Sequence, residues 1–210
     1  MGRKPLVERD VALDRVLGRF WASGYEATSI DDLLLATGMH RGSFYRAFGD
    51  KHAAFMAALD RYAAIVGETQ ITPALTGGGP ACRRLLRLLY ARLDAALGVV
   101  APTPAADPGE RPGCLVVNTA VEVAAHDDTA GATAGALLGL MHAAIRHLVD
   151  EAVAAGEVAP NVDAELVADQ IFTLLQGVNV MCRVGADRRD LRRLLRRTVE
   201  TTLQPTVALA

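Results

Sequence analysis

At 210 residues, 51% of them apolar and with a formal net charge of −2, the chain has material for a substantial buried core and is not disordered overall. No run approaches the eighteen or so uninterrupted apolar residues of a membrane span, and the N-terminus MGRKPLVERD lacks a secretory signal's apolar core, which points to a cytoplasmic protein. Three widely spaced cysteines, Cys82, Cys114 and Cys182, do not make a disulfide framework.

The chain opens on Gly2-Arg3-Lys4-Pro5, either a frayed terminus or a basic arm whose Arg3 and Lys4 reach a minor groove or phosphates. A first helix is predicted from Val7 to Ser23, with Leu13, Val16, Leu17 and Phe20 on one face and Gly24 ending it. In the next stretch, TSIDDLLLATGMHRGSFYRAFGDK, Thr28 or Ser29 caps a short helix whose first turn holds Asp31 and Asp32. Gly38 stops that helix, and a second runs from His40 to Phe48, where Gly49 ends it. Two short helices about a glycine turn make the outline of a helix-turn-helix. Phe44 and Phe48 share one side of the second helix; Gly42, Tyr45 and Arg46 share another. No acidic residue lies between Asp32 and Asp50, so Arg41 and Arg46 define a local basic patch that the net charge conceals. Arginine fits a guanine edge or a phosphate, and small residues such as Gly42 and Ser43 permit close approach to DNA. A plain helical hairpin with a solvated basic face is the alternative reading. Asp50 caps a fourth helix running to Gly67, at whose start Lys51 is placed to hold a phosphate.

Gly24-Tyr25, Thr28-Ser29, Ile30, Leu33, Thr37-Gly38, Arg41-Gly42-Ser43, Phe44-Tyr45, Phe48-Gly49 and Lys51 together resemble the DNA-binding domain of the TetR family of transcriptional regulators. The resemblance covers roughly the first sixty residues. It implies a homodimer that binds an operator, usually as a repressor released by a ligand. It also implies base or phosphate contacts from Thr28, Arg41, Gly42, Ser43, Tyr45, Arg46 and Lys51. His40 departs from the pattern, standing where the family usually has a small capping residue; it either shifts the helix start or adds a phosphate contact.

Beyond the fourth helix, Thr72-Pro73 and Gly77-Gly78-Gly79-Pro80 predict a break in the chain. The expected organisation is a helix-turn-helix domain over 1–50, a connecting helix over 51–70, and a sensing and dimerisation domain over 71–210. A largely buried leucine-rich helix is predicted from Ala81 to Val100, then a Pro-rich loop from Pro102 to Pro112. A shorter helix follows from Gly113 to Ala125, with Cys114 in its first turn near Arg111. Gly113-Cys114-Leu115-Val116-Val117-Asn118 resembles a segment of a TetR subgroup, some of whose members sense electrophiles or oxidants. Cys114 is therefore either a sensor or a small buried apolar residue.

A long helix is predicted from Asp128 to Ala155, with Gly131, Gly135 and Gly139 repeating on one face, either for close helix approach or as space for a ligand. The candidate sensing set is Cys114 and Asn118 with Met141, His142 and Phe172 from the long helices. His147–Glu151 and Glu122–His126 have a helical pair spacing, but two-residue pairs do not make a metal site, and neither a metal nor a cofactor is expected. Helices from Asp163 to Val184 and from Asp187 to Leu203 close the chain. Their apolar residues Leu174, Val178, Met181, Leu191, Leu194, Leu195 and Val199 form the expected dimer interface, and the arginines of the last helix form a solvated face.

The expectation is thus an all-α protein of about nine helices. It would act as a homodimeric repressor released from a palindromic double-stranded DNA operator by a small-molecule or electrophile inducer. The alternatives are an all-helical enzyme with its active site in the apolar bundle, and a nonspecific architectural DNA binder. The first lacks any nucleophile triad, metal or nucleotide motif with suitable spacing. The second is disfavoured by the acidic balance.

Overall fold

The computed structural model describes residues 8–99 and 111–209. Every regular element among them is helical: α1 (Arg9–Ser23), α2 (Ile30–Thr37), α3 (Arg41–Phe48), α4 (Lys51–Val66), a π turn (Gly67–Ile71), α5 (Thr72–Thr76), α6 (Ala81–Ala96), α7 (Leu115–Glu122), α8 (Asp128–Ala154), α9 (Ala164–Arg183) and α10 (Arg188–Leu203). Because α4, the π turn and α5 follow one another without a break, these elements make nine rods, as the periodicity predicts. The Arg3–Lys4 arm and most of the Pro-rich loop lie outside the described residues.

Side-chain chemistry sets the helix ends. Ser29 accepts the Asp32 amide while Asp32 accepts the Ser29 amide, a reciprocal cap that starts α2. Asp50, Asp127, Asp163 and Asp187 cap α4, α8, α9 and α10 more simply, each side chain accepting from first-turn amides. Gly38 ends α2 in the left-handed conformation, at φ 68°.

Aromatic packing joins α1 and the turn after it to α4. Phe20 meets Phe55 edge-on at 5.1 Å, Tyr25 lies 4.7 Å from Phe55, and Trp21 meets Tyr62 at 5.2 Å. Arg15 on α1 donates to the Thr37 carbonyl at the end of α2. One hydrophobic core then continues from this unit into the bundle, where α8 packs against α6, α7 and α9, and α10 against α6 and α9. By length and composition α8 could cross a membrane; in this fold it is a bundle helix.

The predicted break at Thr72-Pro73 is absent. The Thr72 amide bonds back to the Gly67 carbonyl, five residues away, and the rod resumes as α5 with Pro73 in its first turn. A proline there lacks only an amide that a helix start leaves unpaired, and the π turn absorbs the extra residue. Between α4 and α6 the helical run breaks at Gly77–Pro80.

The predicted dimer stripe is divided by the fold. Val178, Leu191, Leu195 and Val199 are 2%, 6%, 0% and 0% exposed within the chain itself, so they are core residues and not free surface. Each contributes roughly 1.5–3 kcal/mol to the bundle. Met181 and Leu194 are exposed and Leu174 half-buried; Leu166, Val180 and Val184 extend the exposed stripe along α9. On α10 the arginines pair along the surface, Arg188 with Asp94 and Arg196 and Arg197 with Glu200, which is the solvated face the sequence predicts. Of the α8 glycines, Gly131 abuts Ala124, while Gly135 and Gly139 have open space beside them.

Candidate nucleic-acid interface and bundle cavity

The two sides of α3 differ in kind. Phe44 and Phe48 are buried 5.1 Å apart and anchor it, while His40, Arg41, Gly42, Tyr45 and Arg46 are exposed and Ser43 is half-buried. His40 is the N-cap residue in backbone terms: its carbonyl accepts from the amides of Ser43 and Phe44, and its imidazole makes no cap. The start of α3 is therefore free of a side-chain acceptor, which leaves first-turn amides available to an anion. Nothing stands within 4 Å of the space a Gly42 side chain would fill. Arg41 bonds Asp31 at 2.5 Å, but the two side chains are 56% and 79% exposed, a solvated pair that a phosphate can displace at little cost. The ammonium of Lys51 lies 4.3 Å over the Tyr25 ring at the start of α4.

Thr28 departs from the expectation. Its side chain is wholly buried and its hydroxyl donates to the Gly24 carbonyl at 2.7 Å. It shapes the turn into α2, and that hydroxyl is not available to a phosphate.

Three contacts that the sequence reading missed tie this unit to the bundle. The Glu122 carboxylate, at the end of α7, accepts the backbone amides of Tyr25 (3.2 Å) and Glu26 (2.8 Å). Trp21 Nε1 donates to the Gly113 carbonyl at 3.0 Å. His52 near the start of α4 lies 2.7 Å from Asp127, the cap of α8. Asp127 is held below the ordinary carboxylate value, first by the Ala130 amide and further by His52. No spacing rule links residues 75 to 97 positions apart, so sequence gives no signal for these contacts.

At its other end the α4 rod lines a cavity of about 50 Å³ bounded by Tyr62, Arg92, Cys114, Met141, Leu175 and Asn179, among others. The Tyr62 hydroxyl faces Cys114 Sγ at 3.5 Å and accepts from Arg92 at 2.8 Å. Burial pushes the Tyr62 phenol well above its ordinary value, against the pull of the Arg92 cation. Burial likewise pushes Cys82 up to about 12 and Cys182 up to about 11, which keeps those thiols protonated and inert. Cys114 caps α7 in backbone terms only and is 5% exposed.

Of the predicted sensing set, only Cys114 and Met141 reach this cavity. Asn118 instead donates to the Pro112 carbonyl at 2.9 Å. His142 bonds Asp169 at 2.7 Å and meets the Phe172 ring edge-on at 5.0 Å, which fastens α8 to α9 on the outer side. The residues that replace them, Arg92 and Asn179, had a readable signal in one case. Leu85, Leu89, Arg92 and Ala96 recur at helical spacing, so Arg92 falls on an apolar stripe.

Family models agree with this geometry. Residues 18–58 match the model described as bacterial regulatory proteins, tetR family, and residues 89–198 match the tetracyclin repressor-like C-terminal domain. The chain belongs to the TetR family of bacterial transcriptional regulators. Among its TetR relatives, the HTH-type transcriptional repressor ComR of Escherichia coli (strain K12) is 28% identical over 92% of this chain and 88% of its own length. A cysteine mutant of the TetR family regulator CifR, solved in complex with 26-base-pair double-strand operator DNA, is 26% identical with a TM-score of 0.80. It covers 96% of this chain and 100% of its own. A TetR regulator from Chloroflexus aurantiacus J-10-FL has a TM-score of 0.77 at 25% identity, over 95% of this chain and 96% of its own. This TetR chain is accordingly a DNA-binding transcriptional regulator and not an enzyme, and α2–turn–α3 is its helix-turn-helix.

Proposed function

We propose that the protein is a cytoplasmic, homodimeric repressor that leaves a palindromic operator when the bundle cavity is filled. The observation that carries this reading is the unbroken rod from α4 to α5. Its first residues abut the helix-turn-helix, and Tyr62, Ala63, Val66 and Ile71 farther along it line the cavity. A ligand that fits better when the rod is displaced shifts the population toward a form whose two α3 helices no longer match successive major grooves. In this reading residues 1–50 read DNA, 51–70 connect, and 71–210 sense and dimerise.

His40, Arg41, Gly42, Ser43, Tyr45, Arg46 and Lys51 are the proposed DNA contacts, and the α9 stripe of Leu166, Leu174, Val180 and Met181, with Leu194 from α10, is the proposed dimer face. The test is fluorescence anisotropy with the DNA upstream of the protein's own coding sequence. Tight binding at two chains per half-site pair, lost when the palindrome is scrambled, is the expected result; equal affinity for scrambled DNA refutes the reading.

A second trigger at the same cavity is alkylation of Cys114, favoured by its position between the Tyr62 hydroxyl and the Arg92 guanidinium. With this trigger, N-ethylmaleimide releases operator from the wild type but not from Cys114→Ser. Equal release from both refutes it.

A further inference from the structure

Among the described residues two guanidinium groups are buried, and they are treated differently. Arg84, 2% exposed, meets the Glu151 carboxylate and donates to the carbonyls of Ala74, Leu75 and Gly79. Arg92 lies two turns farther along α6 and is 3% exposed. Among the described residues it has no carboxylate partner: it donates to the Tyr62 hydroxyl at 2.8 Å and to the Gln70 amide oxygen at 3.2 Å, and the Cys114 thiol lies beside it. Guanidinium does not give up its proton in a protein, so a full positive charge is buried there with no carboxylate paired to it among the described residues. Folding penalises that arrangement strongly unless an anion completes it. The same cavity shows a second deficit: Asn179, 2% exposed, has no donor for its Oδ1.

Apart from Tyr62, Cys114 and Gln176, the rest of the lining is apolar, with Leu137, Leu138, Met141 and Leu175 among it. Beyond Tyr62 and Arg92 lies a larger cavity of about 460 Å³ that also carries Arg87 and Arg192, while its Asp94 is already bonded to Arg188. An anion approaching from that side meets positive charge before it reaches Arg92.

We propose that the cavity beside Arg92 binds an amphipathic organic acid, its carboxylate on the guanidinium and its aliphatic body among the leucines. One cation facing the small cavity matches one negative charge, and the planar guanidinium fork matches a carboxylate. A ligand hydroxyl or amide hydrogen would complete Asn179. The use of this site as a switch rests on the repressor reading above; its chemistry does not. The resting volume of about 50 Å³ is below the roughly 150 Å³ that admits benzene in an engineered core, so the ligand body has to push the walls apart. The carboxylate would also take Arg92 from Gln70, which belongs to the π turn in the α4 rod. Recognition and movement of the rod then occur in one event.

Calorimetric titration of the full chain with octanoate, 1-octanol and octylamine tests the inference. Octanoate should bind at least about tenfold more tightly than the alcohol or the amine, the discrimination expected from a charge-assisted hydrogen bond in a buried site. Arg92→Met should lose that preference and melt at a higher temperature than the wild type, because an uncompensated buried charge has been removed. If that variant does not fold, Arg92→Lys serves instead, with weaker discrimination expected from a point charge. The inference is overturned if octanoate gives no binding, if octanol binds as well, or if either variant keeps the full preference. Operator release is measured separately: Arg92-dependent octanoate binding without release sustains this inference and overturns the ligand-release reading.

Discussion

Replacing Glu122 with alanine should loosen the turn between α1 and α2 without touching any DNA-facing residue. The carboxylate accepts the Tyr25 and Glu26 amides at 3.2 and 2.8 Å. A hydrogen bond to a charged group contributes about 1.5–3 kcal/mol when buried, and water recovers part of it at this half-exposed place. Taking about 1 kcal/mol for each bond gives a loss near 2 kcal/mol, or about 4–8 °C in Tm for a chain of this size. Glu122→Gln keeps one acceptor oxygen and should lose about half as much. Amide exchange at Tyr25 and Glu26 should quicken about tenfold or more, since each 1.4 kcal/mol is a factor of ten. Gly24 supplies an internal control. Its φ is 86°, and a Cβ built there would lie 2.5 Å from Glu122 Oε2, so Gly24→Ala should destabilise the wild type more than it destabilises Glu122→Ala. A Glu122→Ala protein that melts within about 1 °C of wild type, with unchanged exchange at Tyr25 and Glu26, refutes the account of this clamp.

Other expectations follow from separate parts of the structure. Arg46→Ala should weaken operator binding and relax sequence preference while leaving Tm unchanged, and Arg41→Ala should weaken binding and flatten its salt dependence; anisotropy at several salt concentrations distinguishes the two. Met181→Arg, on the exposed α9 stripe, should yield a folded chain that sediments as a monomer, whereas Val178→Arg at the buried neighbour should reduce helicity itself. Asp32, Asp127, Glu151 and Glu200 all sit below their ordinary values in the fold, chiefly through the Ser29 hydroxyl, the Ala130 amide, Arg84 and Arg196 respectively. Because the folded values lie below the unfolded ones, the stability they supply is complete above about pH 5 and is lost as pH falls through the depressed values. Calorimetric Tm should therefore drop below about pH 4, and Asp127→Asn should make that drop shallower.

Local chemistry was legible in the sequence wherever a short range decides it. The Ser29–Asp32 cap, the stops at Gly38 and Gly49, and the Asp50 start lie within three or four residues of what they control, so the helix-turn-helix could be read directly. Pro73 misled because its penalty depends on where the preceding hydrogen bonds fall, and a π turn moved them. The buried stripe of α10 looked like an interface because amphipathicity says that a face needs a partner but not whose chain provides it. Thr28 as a DNA contact was implied by the family resemblance, but its hydroxyl's direction is fixed by the Gly24 turn and not by its neighbours in sequence. Arg92 was hidden among leucines, although its place on the apolar stripe marked it.

On the ligand-release reading, the α4 segment of the rod is also a lever. Its 16 residues span about 24 Å, so tilting it by only about 5° moves its far end by about 2 Å. Hydrogen bonds to DNA tolerate a few tenths of an ångström. On the ligand-release reading proposed above, a cavity too small to hold a sizeable ligand at rest is large enough for its purpose, because a slight swelling near Tyr62 would become a displacement beside Lys51 and α3 that the proposed base contacts would not survive.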